Sequence, residues 1–129
     1  ELKNLKFNNI NKILTNWNNY VHVDGHSDYD KSFKDLLDEK IISNSSFNTL
    51  IVIGDARNNY RPINTDTINK LSKKFQNIYW MNPERSQYWN TGDSQFHHYQ
   101  SISKKYSEVR NFEQLKIFIN SINFKKVIK

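Results

Sequence analysis

Apolar and polar positions alternate along this chain in two periods, and one short stretch obeys neither. Leu50, Ile51, Val52 and Ile53 form an unbroken apolar run, too short for a helix and rich in β-branched side chains. That pattern predicts a strand buried on both faces, as inside a parallel sheet. Gly54 ends the run, and Asp55-Ala56-Arg57-Asn58-Asn59 follows at the expected carboxyl end of the strand. In open α/β sheets ligands collect beyond those ends. Gly, Asp and Asn are also ordinary turn residues, so a simple turn is the competing explanation.

The rest of the pattern arranges itself around that strand. Ile10, Ile13, Leu14 and Trp17 approximate the spacing of an amphipathic helix, and Val21 to Gly25 reads as an extended connector. Ser27 and Asp28 are N-cap types, with Asp30 in the first turn, where the helix dipole favours an acid. The helix they open carries Tyr29, Phe33, Leu36 and Leu37 on one face and runs out near Ile42. After the central strand, Asn64 or Thr65 caps a helix with Ile68, Leu71 and Phe75 inward. Asn77 to Asn82 is a second strand, stopped by Pro83. A polar, aromatic loop leads to Asp93 or Ser94, which caps a short helix through Tyr99. Tyr106 to Val109 is a weak third strand, and Asn111 caps a last helix with Leu115, Phe118, Ile119 and Ile122 inward.

From residue 49 onward the order is strand then helix, three times, which predicts a parallel sheet with right-handed crossovers. About three strands are set against five helices, an imbalance. A run such as Leu-Ile-Val-Ile left at an edge is adhesive. The expectation is therefore that it is paired on its far side by another chain or by a preceding segment.

Composition narrows the class. With 129 residues the chain fills one domain at most, and its 36% hydrophobic content is globular. It lacks cysteine, which excludes disulfides and thiolate metal sites and fits a reducing, cytoplasmic setting. No apolar run approaches the ~20 residues of a membrane span. The net charge is +6. Lys73-Lys74, Lys104-Lys105 and Lys125-Lys126 are isolated pairs in the sequence rather than a stripe, so solvated helix faces account for them and nucleic acid is not the expected partner.

Five short motifs occur in order: Gly25-His26-Ser27-Asp28-Tyr29, Gly54-Asp55-Ala56-Arg57-Asn58-Asn59-Tyr60, Trp80-Met81-Asn82-Pro83-Glu84, Trp89-Asn90-Thr91-Gly92-Asp93-Ser94 and Asn111-Phe112-Glu113-Gln114-Leu115. Together they resemble the carboxy-terminal half of von Willebrand factor A (vWA) domains of the CoxE-like type, over residues 21 to 122. The resemblance implies an α/β fold with a Rossmann-like, doubly wound parallel sheet, here as the second half of a single domain spanning residues 1–129. It also implies a metal-ion-dependent adhesion site at the strands' carboxyl ends, with Ser27 in the place of a threonine ligand and Asp55 in the place of the last aspartate. The family's Asp-x-Ser-x-Ser element and first three strands have no counterpart in this sequence, and Asp30 stands where glycine is common. The implied cofactor is Mg2+ or another divalent cation, which favours oxygen ligands and typically takes only one or two protein carboxylates. The implied partner is a protein that offers a carboxylate, with a MoxR-type AAA+ ATPase as the working companion. In that reading binding is the activity, and no bond is made or broken.

Around those two ligands, His26, Asp28, Arg57, Asn58 and Asn59 are candidates for contacting a partner or for holding the loops. His22, His97 and His98 complete the histidines. Neighbours in a helix do not share a face, which argues against His97 and His98 as paired ligands. Trp80 reads as core and Trp89 as loop packing. Two other functions remain open on the sequence. A metal-assisted hydrolase needs Asp55, Asp93 and His97 or His98 to converge. A basic nucleic-acid-binding domain needs the lysine pairs to fall on one face. Neither a nucleophile–base pair nor a Gly-rich phosphate loop is visible.

Overall fold

A computed structural model describes residues 27–38 and 48–122. The expected helix at residues 10–17, the connector at 21–25, and His22 and His26 lie outside the described residues. The described elements are α1 (Tyr29–Asp38), β1 (Thr49–Ile53), α2 (Thr65–Lys74), β2 (Asn77–Asn82), α3 (Phe96–Gln100), β3 (Lys105–Glu108) and α4 (Phe112–Asn120), with a 3-10 turn at Ser86–Tyr88. The three strands form one parallel sheet in the order β1-β2-β3. Thr49 pairs with Asn77 and Tyr79 with Lys105, so β3 joins β2 two residues further along than β1 does.

Helix starts follow the local chemistry. Asp28 Oδ1 accepts the Lys31 N–H at 2.9 Å, Asn64 Oδ1 that of Asp66 at 2.9 Å, and Asn111 Oδ1 that of Gln114 at 2.9 Å. Each satisfies a donor that the first turn leaves open. The expected cap at Asp93 or Ser94 is not made. Helix α3 begins one residue after Gln95 without a side-chain cap, because both side chains are engaged elsewhere in the loop cluster.

Strand β2 is the spine, buried along nearly its whole length. Its alternation divides the core in two. Ile78 and Trp80 face Phe33 of α1, Ile68, Leu71 and Phe75 of α2 with its cap, and Phe96 and Tyr99 of α3. Tyr79 and Met81 face Phe118 and Ile122 of α4 and its end, flanked by Leu115 and Val109. Helices thus cover both faces, an arrangement compatible with part of a Rossmann-like sheet. Aromatic rings fill the first layer: Trp80 stacks on Tyr99 at 4.8 Å and meets Phe96 edge-on at 5.6 Å.

Two expectations need correction. Strand β1 is not buried on both faces: Val52 is covered, but Ile51 is 39% and Ile53 74% exposed. The cluster under α4 is built on β2 and does not reach across to β1. Among the described residues β1 is an edge strand, paired with β2 only. Ile119 of α4 is likewise exposed rather than inward. No helix among the described residues is long and apolar enough to cross a membrane.

Candidate functional site

Because the strands are parallel, their carboxyl ends bring three loops together: residues 54–64 after β1, 83–95 after β2, and the turn at Ser27–Asp28 that opens α1. Gly54 makes the first junction possible. A Cβ at that position would stand 2.0 Å from Tyr29 Oη, so only glycine lets the phenol through. The Tyr29 hydroxyl then accepts the Ala56 N–H at 3.1 Å and donates to Asp55 Oδ1 at 3.3 Å. Burial pushes its pKa up to about 12, with the Asp55 charge adding in the same direction. Asp55 Oδ1 also accepts the Arg57 N–H at 3.0 Å. Part of this carboxylate therefore ties off its own bend, as the simple-turn reading anticipates.

The loop after β1 adopts a backbone that its side chains oppose. Ala56, Asn59 and Tyr60 have φ of 61°, 49° and 57°, all left-handed. What holds them is a set of long-range bonds. Asn58, 0% exposed, accepts the Tyr29 N–H at 2.9 Å through Oδ1 and donates Nδ2 to the Arg61 carbonyl at 3.0 Å. Asn59 Nδ2 donates to the Ser27 carbonyl at 3.0 Å, and Arg61 pairs with Asp28. The Ser27 turn and the Asp55 loop are thus laced to each other. Asn58 and Asn59 each carry one of the bonds between the two segments.

Arg57 is the second hub. It reaches Glu84 at 2.6 Å and Asp93 at 2.8 Å, pinning both ends of the loop after β2. Its hydrogen bonds to Glu84 first, then to Asp93, hold the guanidinium more firmly charged than usual. Arg57 in turn keeps the Asp93 carboxyl below its ordinary range. Asp93 Oδ2 also accepts the Asn59 N–H at 3.0 Å, and Ser94 Oγ donates to the Asp55 carbonyl at 3.4 Å. These bonds explain why neither residue caps α3. Glu84 Oε2 is buried and has no hydrogen-bond partner, an electronegative position that a water or a cation would satisfy.

No family model matches the chain, and no curated protein or solved structure matches it significantly. Its chemistry is therefore read from the residues themselves.

Four carboxylates meet in this cluster, and three of them hold an arginine: Asp28 with Arg61, and Glu84 and Asp93 with Arg57. Asp55 differs, since its hydrogen bonds come from neutral donors. Its oxygens and the second oxygen of Glu84 are the carboxylate positions of the cluster that a cation could approach without displacing a guanidinium. The donor set fits a hard cation only in part. Among the described residues no three His, Cys, Asp or Glu side chains group as a metal site. A magnesium ion held by Asp55 and Ser27 would draw its remaining ligands from water or another molecule.

The hydrolase arrangement is not assembled among the described residues: Asp93 is committed to Arg57 and Asn59, and no cluster joins it to a histidine. His97 and His98 do approach each other, with ring centroids 3.9 Å apart. Burial, then the neighbouring His97, lowers the His98 pKa. Beside Ser27 and Asp28, a cavity of about 320 Å³ opens over Tyr29, Ser32, Phe33 and Val52.

Sequence reasoning treated Tyr29 only as a core-facing helix residue and gave Glu84 no role. The usable signal for Tyr29 is Gly54, since a glycine directly after a buried strand marks a close approach. Nothing local to Glu84 announces its pairing with Arg57, which is 27 residues away in the chain.

Proposed function

We propose that this chain is a protein-binding module of the vWA kind, with Asp55 and Ser27 contributing to a divalent-cation site at the strands' carboxyl ends. One observation carries the reading: the Ser27 turn is bonded directly to the loop that bears Asp55, through Asn59 and through Asn58 with Tyr29. The motif order pairs Ser27 and Asp55 as ligands, and the segments that carry them are hydrogen-bonded to each other. The cluster supports the reading electrostatically as well. The three loops carry four carboxylates against three guanidiniums, those of Arg57, Arg61 and Arg85, in a chain of net charge +6. A rim of that sign attracts cations and repels polyanions.

In this reading Asp28, Arg57, Asn58 and Asn59 hold the rim, and Tyr60, 81% exposed at its tip, faces the partner. The partner completes the cation's shell with a carboxylate of its own. A MoxR-type AAA+ ATPase is the companion that the motif resemblance suggests.

Titration of the chain with Mn2+, followed by paramagnetic broadening of amide resonances, tests the site even when affinity is low. Broadening centred on residues 27–28 and 55–59, and abolished by Asp55→Asn, is expected. Broadening centred elsewhere, or unchanged in the variant, would overturn the proposal.

A further inference from the structure

No acid of the rim has both carboxylate oxygens unengaged. Asp28 accepts the Lys31 N–H through Oδ1 and pairs with Arg61 through Oδ2. Asp93 accepts from the Arg57 guanidinium through Oδ1 and from the Asn59 N–H through Oδ2. Glu84 gives Oε1 to Arg57, at 2.6 and 3.2 Å, and keeps only Oε2. At Asp55 the engaged oxygen is Oδ1, which accepts the Tyr29 hydroxyl at 3.3 Å and the Arg57 N–H at 3.0 Å. Both bonds that described residues make to this carboxylate fall on that one oxygen.

The Tyr29 bond is not easily given up. Its ring is enclosed by Phe33, Trp80 and Tyr99, with centroids 6.0, 5.7 and 5.9 Å away. Its hydroxyl also accepts the Ala56 N–H at 3.1 Å, and Ala56 is fully buried. Swinging the phenol aside would strand that donor, a cost that a weakly held ion does not offset. Oδ1 therefore stays with the phenol, and Asp55 presents a single oxygen.

We infer, resting on the reading of Asp55 as a cation ligand, that Tyr29 sets the choice of ion at that site. By holding Oδ1 it restricts the carboxylate to one oxygen, which favours a small six-coordinate cation of the Mg2+ kind over Ca2+. Ca2+ collects roughly six to eight oxygens and often takes both from one carboxylate, whereas Mg2+ keeps several waters and binds through one or two carboxylates. A carboxylate fixed end-on suits Mg2+ and deprives Ca2+ of a ligand. Glu84 repeats the pattern, with Oε1 spent on Arg57 and only Oε2 left to offer. Tyr29 acts through Asp55 rather than on the ion, which makes it a positioning residue.

Competition against Mn2+ in the full chain tests this. Amide resonances of residues 55–59 are first broadened with Mn2+, and Mg2+ and Ca2+ are then added separately until the signals recover. In the parent, less Mg2+ than Ca2+ should be needed. In Tyr29→Phe the Ca2+ requirement should fall by about two- to tenfold relative to that of Mg2+, the worth of one hydrogen bond. A general loosening of the loop would weaken both ions alike and leave the ratio where it was. An unchanged ratio, or Ca2+ as effective as Mg2+ in the parent, would overturn the role of Tyr29 and leave the cation site standing. Broadening that never centres on residues 55–59 would remove the site itself and the role of Tyr29 with it. If Tyr29→Phe does not fold, amide exchange in the parent decides. The Ala56 and Arg57 N–H groups should keep their protection at saturating Mg2+, and losing it would show that the ion has recruited Oδ1.

Discussion

The hydroxyl of Tyr29 occupies the space over Gly54 that any side chain at that position would need, 2.0 Å from where a Cβ would stand. From there it reaches the Ala56 amide and the Asp55 carboxylate. One missing methyl group thus decides how α1 is fastened to the end of β1.

Gly54→Ala should therefore destabilise the chain by about 1–3 kcal/mol, the usual cost of overpacking a filled site. In a Tyr29→Phe background the penalty should shrink, because the nearest clashing atom is gone. Urea unfolding of the two single variants and the double variant measures that coupling. Tyr29→Phe alone leaves the Ala56 N–H, in a fully buried residue, without its acceptor and should cost about 1–3 kcal/mol.

Asn58→Ala removes two buried hydrogen bonds at once and strands the Tyr29 N–H and the Arg61 carbonyl. A loss of about 2 kcal/mol is expected. Hydrogen exchange should rise at Tyr29 and across residues 56–61 before it rises in β2.

Acid should weaken the Arg57 hub. Asp93 titrates below its ordinary 3.8 when folded, chiefly through its bond to Arg57. A depressed carboxyl pKa stabilises the fold above the unfolded value and loses that contribution as pH falls through the folded one. The gap between parent and Asp93→Asn, of about 1 kcal/mol or less for a pair this accessible, should be present at neutral pH and close below about pH 4. Thermal melts over that range check it.

Tyr60→Gly should stabilise the chain by up to about 1 kcal/mol, since an exposed side chain in a left-handed conformation gains nothing from packing and pays sterically. If the same variant binds its protein partner less well, the strain at φ 57° is tied to recognition.

Much of the architecture was readable from residue patterns because it rests on local rules. Asn64 and Asn111 cap as their side chains dictate, and Ile78 and Trp80 alternate with Tyr79 and Met81 across β2 as a doubly covered strand requires. What escaped the sequence depends on residues meeting across distance. The exposure of Ile53 reflects how far the α4 cluster reaches, which no property of Leu-Ile-Val-Ile encodes. Asp93 looked like a cap until Arg57, 36 residues away, claimed it. Asp55 was placed at the tip of its strand from the sequence, but the phenol that orients it was not.

The Arg57 hub joins a loop to two acids that lie 27 and 36 residues away along the backbone. A single charge change at Arg57 therefore loosens both loops together, and the rim opens as one unit rather than loop by loop.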